Sequence, residues 1–282
     1  MDSGADSNTK AYDFNRLFHT GPLKVIAVSS GKGGVGKSSF AVNLALSLAS
    51  KNKRVLLFDG NLAMPCIDLM MDVAIHLNLK HVIQGICSIN DTILKGPSGL
   101  GFIPGSPDAE FMSGLTSGQQ AGLVDSFNEL EVGWEYLIVD TAGGFTADVL
   151  CFTRSAREMI LVLCNEPTVL AGTYAFIKLM NQKHQVKRFH ILSNMVKDKE
   201  EGLCVYKKLV DIADKYLNVS LNYLGAIPFE QEVREAIKKQ KPLISAYPNS
   251  LAAGAVKKLA SKIDAWPIKL GTDSGTGFCT ER

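Results

Sequence analysis

The sequence predicts an α/β fold: a doubly wound, mostly parallel sheet with helices on both faces. Three observations predict it. Continuous apolar runs recur at Val25–Val28, Val55–Phe58, Tyr136–Val139, Ile160–Cys164, Phe189–Leu192 and Tyr223–Ile227. Runs without polar alternation are what strands buried on both faces require. Helical stretches separate them, near 38–51, 117–130, 167–181, 199–216 and 230–239, the alternation that yields parallel strands joined by crossover helices. Finally, the first run passes through a glycine-rich loop straight into the first helix. There is no internal repeat, and 282 residues are enough for one domain with a sizeable core.

Taken in chain order, residues 1–21 are rich in Asp, Ser, Asn and Gly and read as a loose N-terminal arm. Residues 22–266 form the predicted domain. Its last helix, near 250–264, sets Leu251, Val256, Leu259 and Ile263 at helical spacing, which suits a helix covering the sheet. Residues 267–282 are rich in Gly, Ser and Thr and read as a C-terminal tail.

Composition excludes several classes. Hydrophobic residues make up 46%, typical of a soluble globular chain. No apolar run approaches the roughly 20 residues that span a bilayer, and the polar N-terminus has no signal-peptide core. A cytoplasmic protein is expected. The 30 basic and 28 acidic residues leave a net charge of +2, which argues against a dedicated nucleic-acid binder. The one compact basic run, Lys238-Lys239-Gln240-Lys241, reads as a solvated helix end. Six cysteines (Cys66, Cys87, Cys151, Cys164, Cys204 and Cys279) include no C-x-x-C pair, so neither a zinc nor a redox motif is signalled. Most lie in apolar runs and read as small buried hydrophobes.

The glycine-rich loop is Gly31-Lys32-Gly33-Gly34-Val35-Gly36-Lys37-Ser38-Ser39. It fits G-x-x-x-x-G-K-[ST] between strand and helix, the phosphate-binding pattern. Glycines let the backbone curl and aim N–H groups at phosphate oxygens. The helix N-terminus adds a favourable dipole. Lys37 should reach the β- and γ-phosphates, Ser38 should ligate Mg²⁺, and Ser39 lies within reach of the α-phosphate. The expected cofactors are therefore ATP and Mg²⁺. Two aspartates end apolar strands: Asp59, before Gly60-Asn61-Leu62, and Asp140, before Thr141-Ala142-Gly143-Gly144. Open α/β sheets bind ligands at those strand ends. Asp140 suits a Walker-B role, holding Mg²⁺ through water, and the glycines after it suit a loop that senses the γ-phosphate. Helix capping is the alternative for both aspartates.

The run Lys32-Gly33-Gly34-Val35-Gly36-Lys37-Ser38 resembles the MinD/ParA family of deviant Walker A P-loop ATPases, in which the early lysine is the signature lysine. The resemblance implies a homodimer with ATP, Lys32 of each copy reaching the other's nucleotide; an ordinary solvated lysine is the alternative. Asp59-Gly60-Asn61-Leu62 occupies the place of the family's D-x-D-[LI]-G motif, whose first Asp assists the metal and whose second positions the attacking water. Asn61 stands at that second position. An amide is a poor proton acceptor, so weak turnover is expected. Asp68 matches a structural Asp of the family, with Cys66 standing where the family has Asn.

Further runs are similar to the flagellar-number regulators of this family, the FlhG/FleN group. They include Asp91–Pro97, Phe102–Gly105, Asn165-Glu166-Pro167-Thr168 with Tyr174–Asn181, Arg188–Val196, Tyr223–Pro228 and Asp264-Ala265-Trp266-Pro267. By that resemblance Asn194 contacts adenine, an ordinary strand-end turn being the alternative, and segment 227–230, including Pro228, flanks the base. The implied function is an ATP-dependent dimerising switch, with slow Mg-dependent ATPase activity, that sets flagellar number and placement. The implied partners are a flagellar GTPase (FlhF type), a flagellar transcriptional activator (FleQ type) and switch-ring proteins. Asn61 keeps open an ATP-locked scaffold, and a positioning ATPase with another cargo is a further alternative. A metal-cluster carrier would need paired cysteines. Polar placement or peripheral membrane contact is implied for the group, but the tail offers only Ile268, Leu270 and Phe278 as sizeable apolar groups. Against the D-Q-A-x-x-L-R motif by which some members of the group stimulate a partner GTPase, Asp13–His19 matches at Asp13 and little else.

Overall fold

The computed structural model describes residues 23–267, apart from 63 and 132. The expected arm, with Asp13, and the tail beyond Pro267 lie outside the described residues. The strands are β1 (Lys24–Ser30), β2 (Val55–Gly60), β3 (Leu94–Lys95), β4 (Gly101–Ile103), β5 (Tyr136–Gly143), β6 (Glu158–Leu163), β7 (Arg188–Val196) and β8 (Ser220–Pro228). The helices are α1 (Lys37–Ala49), α2 (Ile67–Met71), α3 (Leu79–Ile83), α4 (Ala109–Ser113), α5 (Ser117–Ser126), α6 (Ala147–Ser155), α7 (Pro167–His184), α8 (Lys199–Ala213), α9 (Gln231–Lys238), α10 (Leu243–Ala246) and α11 (Leu251–Asp264). The strands form one sheet in the order β3-β4-β2-β5-β1-β6-β7-β8, parallel except for the β3–β4 pair. All six anticipated strands and all six anticipated helices are present.

The apolar runs are continuous because the central strands feed two cores. On β2, Val55 and Leu57 pack into one core while Leu56 and Phe58 pack into the other. On β5, Tyr136 and Ile138 divide from Leu137 and Val139 in the same way. Phe58 meets Phe127 and Phe152 edge-on at 4.9 and 5.1 Å, a favoured aromatic geometry. At edge strand β8, Lys262 of α11 donates to the Tyr223 and Leu224 carbonyls at 3.0 and 2.9 Å, occupying acceptors that would otherwise offer themselves to another strand. The end of α11 is pinned below the sheet, where Lys24 donates to the Asp264 carbonyl at 2.7 Å and the Tyr136 hydroxyl donates to its carboxylate at 2.5 Å.

The cysteine reading needs correction. Cys164 is buried, but Cys66 and Cys87 are half-buried and Cys204 is exposed. Cys204 has apolar sequence neighbours, yet on α8 successive residues fall on different faces, so Val205 is buried while its neighbour is not. The side chain of Cys151 and all of Cys279 lie outside the description.

The N-terminal half of α7 lies directly on the loop after β1. A Cβ on Gly172 would sit 2.7 Å from the Gly31 carbonyl oxygen, closer than real side chains approach backbone. Gly172→Ala should therefore destabilise the protein by about 1–3 kcal/mol, the usual cost of forcing atoms into a packed contact. Urea unfolding of the variant against the parent measures it.

Candidate functional site

The loop between β1 and α1 is shaped by two left-handed glycines, Gly34 (φ 80°) and Gly36 (φ 86°), a conformation costly for residues with a Cβ. No side chain caps α1, and its first turn holds no acidic residue. Its N-terminal N–H groups and positive dipole end are thus left for an anion. A Cβ on Gly33 or Gly34 would meet nothing, so this side of the loop faces open space. Gly36 is different: a Cβ there would collide with the Asn194 side-chain amide. That amide donates to the Val35 carbonyl at 2.8 Å, tying the end of β7 to the loop. Phe229 N donates to the Val196 carbonyl at 2.8 Å, which brings the segment after Pro228 beside the same strand end.

Beneath the loop lie three buried charged groups. Strand register sets Asp59 of β2 opposite Asp140 of β5. Asp59 Oδ2 accepts from Cys66 N and Ile67 N at 2.9 and 3.1 Å, and Oδ1 accepts from Asn61 N at 3.3 Å. Burial still pushes its carboxyl up to about 6. Asp140 is wholly buried and neither carboxylate oxygen has a hydrogen-bond partner. Burial, then the nearby Asp59, drives it up to about 8, with Ser38 and Lys37 opposing. Lys37 is 7% exposed, and burial lowers its ammonium below the usual range despite Asp140.

An unpartnered, fully buried carboxylate is costly unless a ligand completes it. With the Ser38 hydroxyl beside it and Asp59 across from it, the set suits a hydrated, oxygen-loving cation such as Mg²⁺. Among the described residues no three His, Cys, Asp or Glu side chains converge as a metal cage. A cation here would draw its remaining oxygens from phosphate and water.

Lys32 is half-exposed. Its Nζ lies 3.3 Å from Glu166 Oε2 and donates to Thr168 Oγ1 at 3.0 Å, both at the start of α7. The backbone at the end of β5 lies against Lys32 and Gly33: a Cβ on Gly143 would stand 2.6 Å from Gly33 N, and Gly144 N, just beyond the strand, donates to the Ser30 carbonyl at 3.0 Å. Asn61 does not point toward Asp140; its Nδ2 donates to the Met64 carbonyl at 2.7 Å within its own loop. The structure thus gathers Gly31–Ser39, Asp59, Asp140 and Asn194 at the carboxyl ends of the strands, with Pro228 nearby and Asn61 on the flank. Sequence reasoning missed Glu166 and Thr168 as partners of Lys32, and Gly172 as the floor under Gly31. Their only signal was the Asn165–Thr168 run, noted above for its likeness rather than its place.

This fold and site define a nucleotide-binding P-loop protein with a second lysine early in the loop. Residues 22–264 match the ParA family model described as NUBPL iron-transfer P-loop NTPase. The chain is 40% identical over 261 residues to the antiactivator FleN of Pseudomonas aeruginosa, covering 93% of each protein. It is 31% identical over 279 residues to the flagellum site-determining protein YlxH of Helicobacter pylori, covering 96% of this chain and 92% of that one. Among solved structures, the septum site-determining protein MinD of Pyrococcus horikoshii, complexed with Mg-ADP, superposes with a TM-score of 0.72 at 23% identity, over 86% of this chain and 96% of that one. The chain belongs to the ParA/MinD family of P-loop ATPases, and within it is similar to FleN and YlxH.

The raised carboxyls give a signed prediction. An acid whose folded pKa is raised contributes stability that is fully present below its unfolded value, near 4, and is lost as pH rises through the folded value. For Asp59 and Asp140 that window runs from about 4 through about 6 and about 8. In metal- and nucleotide-free protein, Asp140→Asn should therefore gain melting temperature relative to the parent as pH rises from 5 to 8.5. Thermal denaturation across that range checks the slope.

Proposed function

We propose that this ATPase is an ATP-gated dimerising switch that controls flagellar number and placement through partner proteins. Supporting the flagellar assignment is the likeness across nine-tenths of both chains to an antiactivator and to a flagellum site-determining protein. The switch reading rests on the phosphate loop with two lysines, of which Lys32 is exposed and held by its own subunit's Glu166 and Thr168.

In this reading the loop 31–36, Lys37, Ser38 and Ser39 hold the phosphates of ATP. Asn194 and the Pro228 segment flank adenine. Ser38, with Asp59 and Asp140, holds Mg²⁺, which when bound neutralises charge on the β- and γ-phosphates. Lys37 would then be balanced by the phosphates and Asp140 by the cation, so that neither is left buried without a counter-charge. Lys32 leaves Glu166 and Thr168 for the phosphates of a second copy, and the dimer presents a surface the monomer lacks. ATP shifts that equilibrium only by its differential affinity for the dimer. FleN's description as an antiactivator supports one proposed target class, a transcriptional activator. A flagellar GTPase and switch-ring proteins are the other proposed partners. Among the described residues, no helix is long and apolar enough to cross a membrane.

One observation favours a second reading. The Asn61 amide is bound to the Met64 carbonyl and is a poor base in any case. An ATP-locked scaffold that dimerises without turnover would follow.

Lys37→Ala should weaken ATP binding at least about 100-fold, the scale of losing a buried charge-assisted contact. Lys32→Ala should bind ATP nearly as the parent does yet stay monomeric in sedimentation with Mg-ATP. A dimer persisting in that variant would overturn the trans-acting lysine. Asn61→Asp should raise phosphate release at least about tenfold by restoring a proton acceptor. Unchanged turnover would mean that another group places the water.

A further inference from the structure

We infer that Glu201 and Asn165 form a relay that fixes the cradle of Lys32 to the base-binding loop, so that nucleotide binding and release of the signature lysine act as one event. The inference rests on the switch reading above and goes beyond it by naming two positioning residues.

The geometry begins with a helix cap. Asp198 caps α8, accepting from Glu201 N at 2.8 Å. A glutamate at this third helical position ordinarily reaches back to the cap residue's own N–H. Here Glu201 reaches one residue further: Oε2 accepts from Lys197 N at 2.6 Å. Its other oxygen, Oε1, accepts from Asn165 Nδ2, also at 2.6 Å. Both are short, charge-assisted bonds. They hold the Glu201 carboxyl below the usual range, Lys197 contributing more than Asn165.

Each end of this bridge leads to the site. Lys197 follows Asn194-Met195-Val196, and the Asn194 amide is bound to the phosphate loop at Val35. Asn165 precedes Glu166, which with Thr168 holds Lys32. The contacts close a ring: phosphate loop, Asn194, Lys197, Glu201, Asn165, Glu166, Lys32 and back to the phosphate loop. Glu201 and Asn165 themselves contact neither the phosphate loop nor Lys32. Their bond ties the segments after β6 and β7 directly to each other, away from the phosphate loop through which Glu166 and Asn194 are also linked.

The test uses the full chain, Mg²⁺ and a non-hydrolysable ATP analogue, with dimerisation read by sedimentation equilibrium. Analogue affinity is measured separately in a Lys32→Ala background, where the reading above expects a monomer. Asn165→Asp sets two carboxylates together and should weaken dimerisation about 5- to 20-fold, within the usual range of coupling between sites, while analogue affinity in the monomer changes less than about threefold. Glu201→Gln alone removes the charge and should weaken dimerisation less. The pair Asn165→Asp with Glu201→Gln restores donor to acceptor across the gap and should recover most of the parent's dimerisation. Additive losses in the pair, no loss in Asn165→Asp, or an equal loss of monomer affinity would each overturn the relay. A dimer formed by Lys32→Ala itself would instead overturn the switch reading, so the two failures are distinguishable.

Discussion

The structure depends on keeping the backbone of residues 31–36 bare. A polyanion is held there by N–H groups, and any side chain over them would block it. Bareness on the ligand side forces close packing on the other. Gly31 rests on Gly172 of α7, Gly143 rests on Lys32 and Gly33, and Gly36 abuts Asn194. The first two contacts are backbone against backbone and the third is against a side-chain amide, so a displacement of the loop is felt at once by the start of α7, by the end of β5 and by the end of β7. These are the three places where a nucleotide-dependent signal would leave the site.

A second constraint follows from charge. Asp59, Asp140 and Lys37 are buried together, and while Asp59 is well satisfied by its own chain, neither oxygen of Asp140 has a hydrogen-bond partner. A folded protein with no ligand gains nothing from such a cluster, and burial opposes ionisation of all three. Sites of this kind are where local stability is given up for function. The surrounding sheet tolerates it because β1, β2, β5 and β6 are packed by large cores that do not involve these groups.

Most of this was legible in the sequence wherever a residue's role is fixed by its immediate neighbours. The six long strands announce themselves because Val55–Phe58 and Tyr136–Val139 are apolar on both faces. The phosphate loop is legible because its chemistry needs glycines and a lysine at fixed spacing. The antiparallel β3–β4 ribbon was not, because two- and three-residue strands carry no periodicity. Helices α2, α3, α4 and α10, of four or five residues, have the same excuse, and the apolar residues of α6 form one short continuous run, Val149–Phe152, rather than a helical stripe. At the site, Asp59 and Asp140 could be named from strand ends, but their adjacency comes from β2 pairing with β5 across 80 residues of chain. Glu166 and Thr168 were invisible as lysine partners for that same reason: their contact with Lys32 spans more than 130 residues. The orientation of Asn61 is a property of its turn, and composition is silent on it.

The weakness of the Lys32 cradle bears on how the proposed switch would work. Lys32 and Glu166 are each about half exposed, at 49% and 57% of their side-chain surface. An ion pair in that setting is worth about 0–1 kcal/mol, too little to hold a lysine against the dense negative charge of a triphosphate in a closed interface. In the proposed switch the cradle would therefore not be what keeps nucleotide-free protein monomeric. That work would fall to the absence of the phosphates themselves, whose charge would be needed before two copies could bring their loops face to face. The cradle would have a different use: it holds Lys32 at the edge of its own loop, where the start of α7 would register whether the lysine is at home. In such an arrangement the energy of switching comes from ATP, and the cradle supplies the readout.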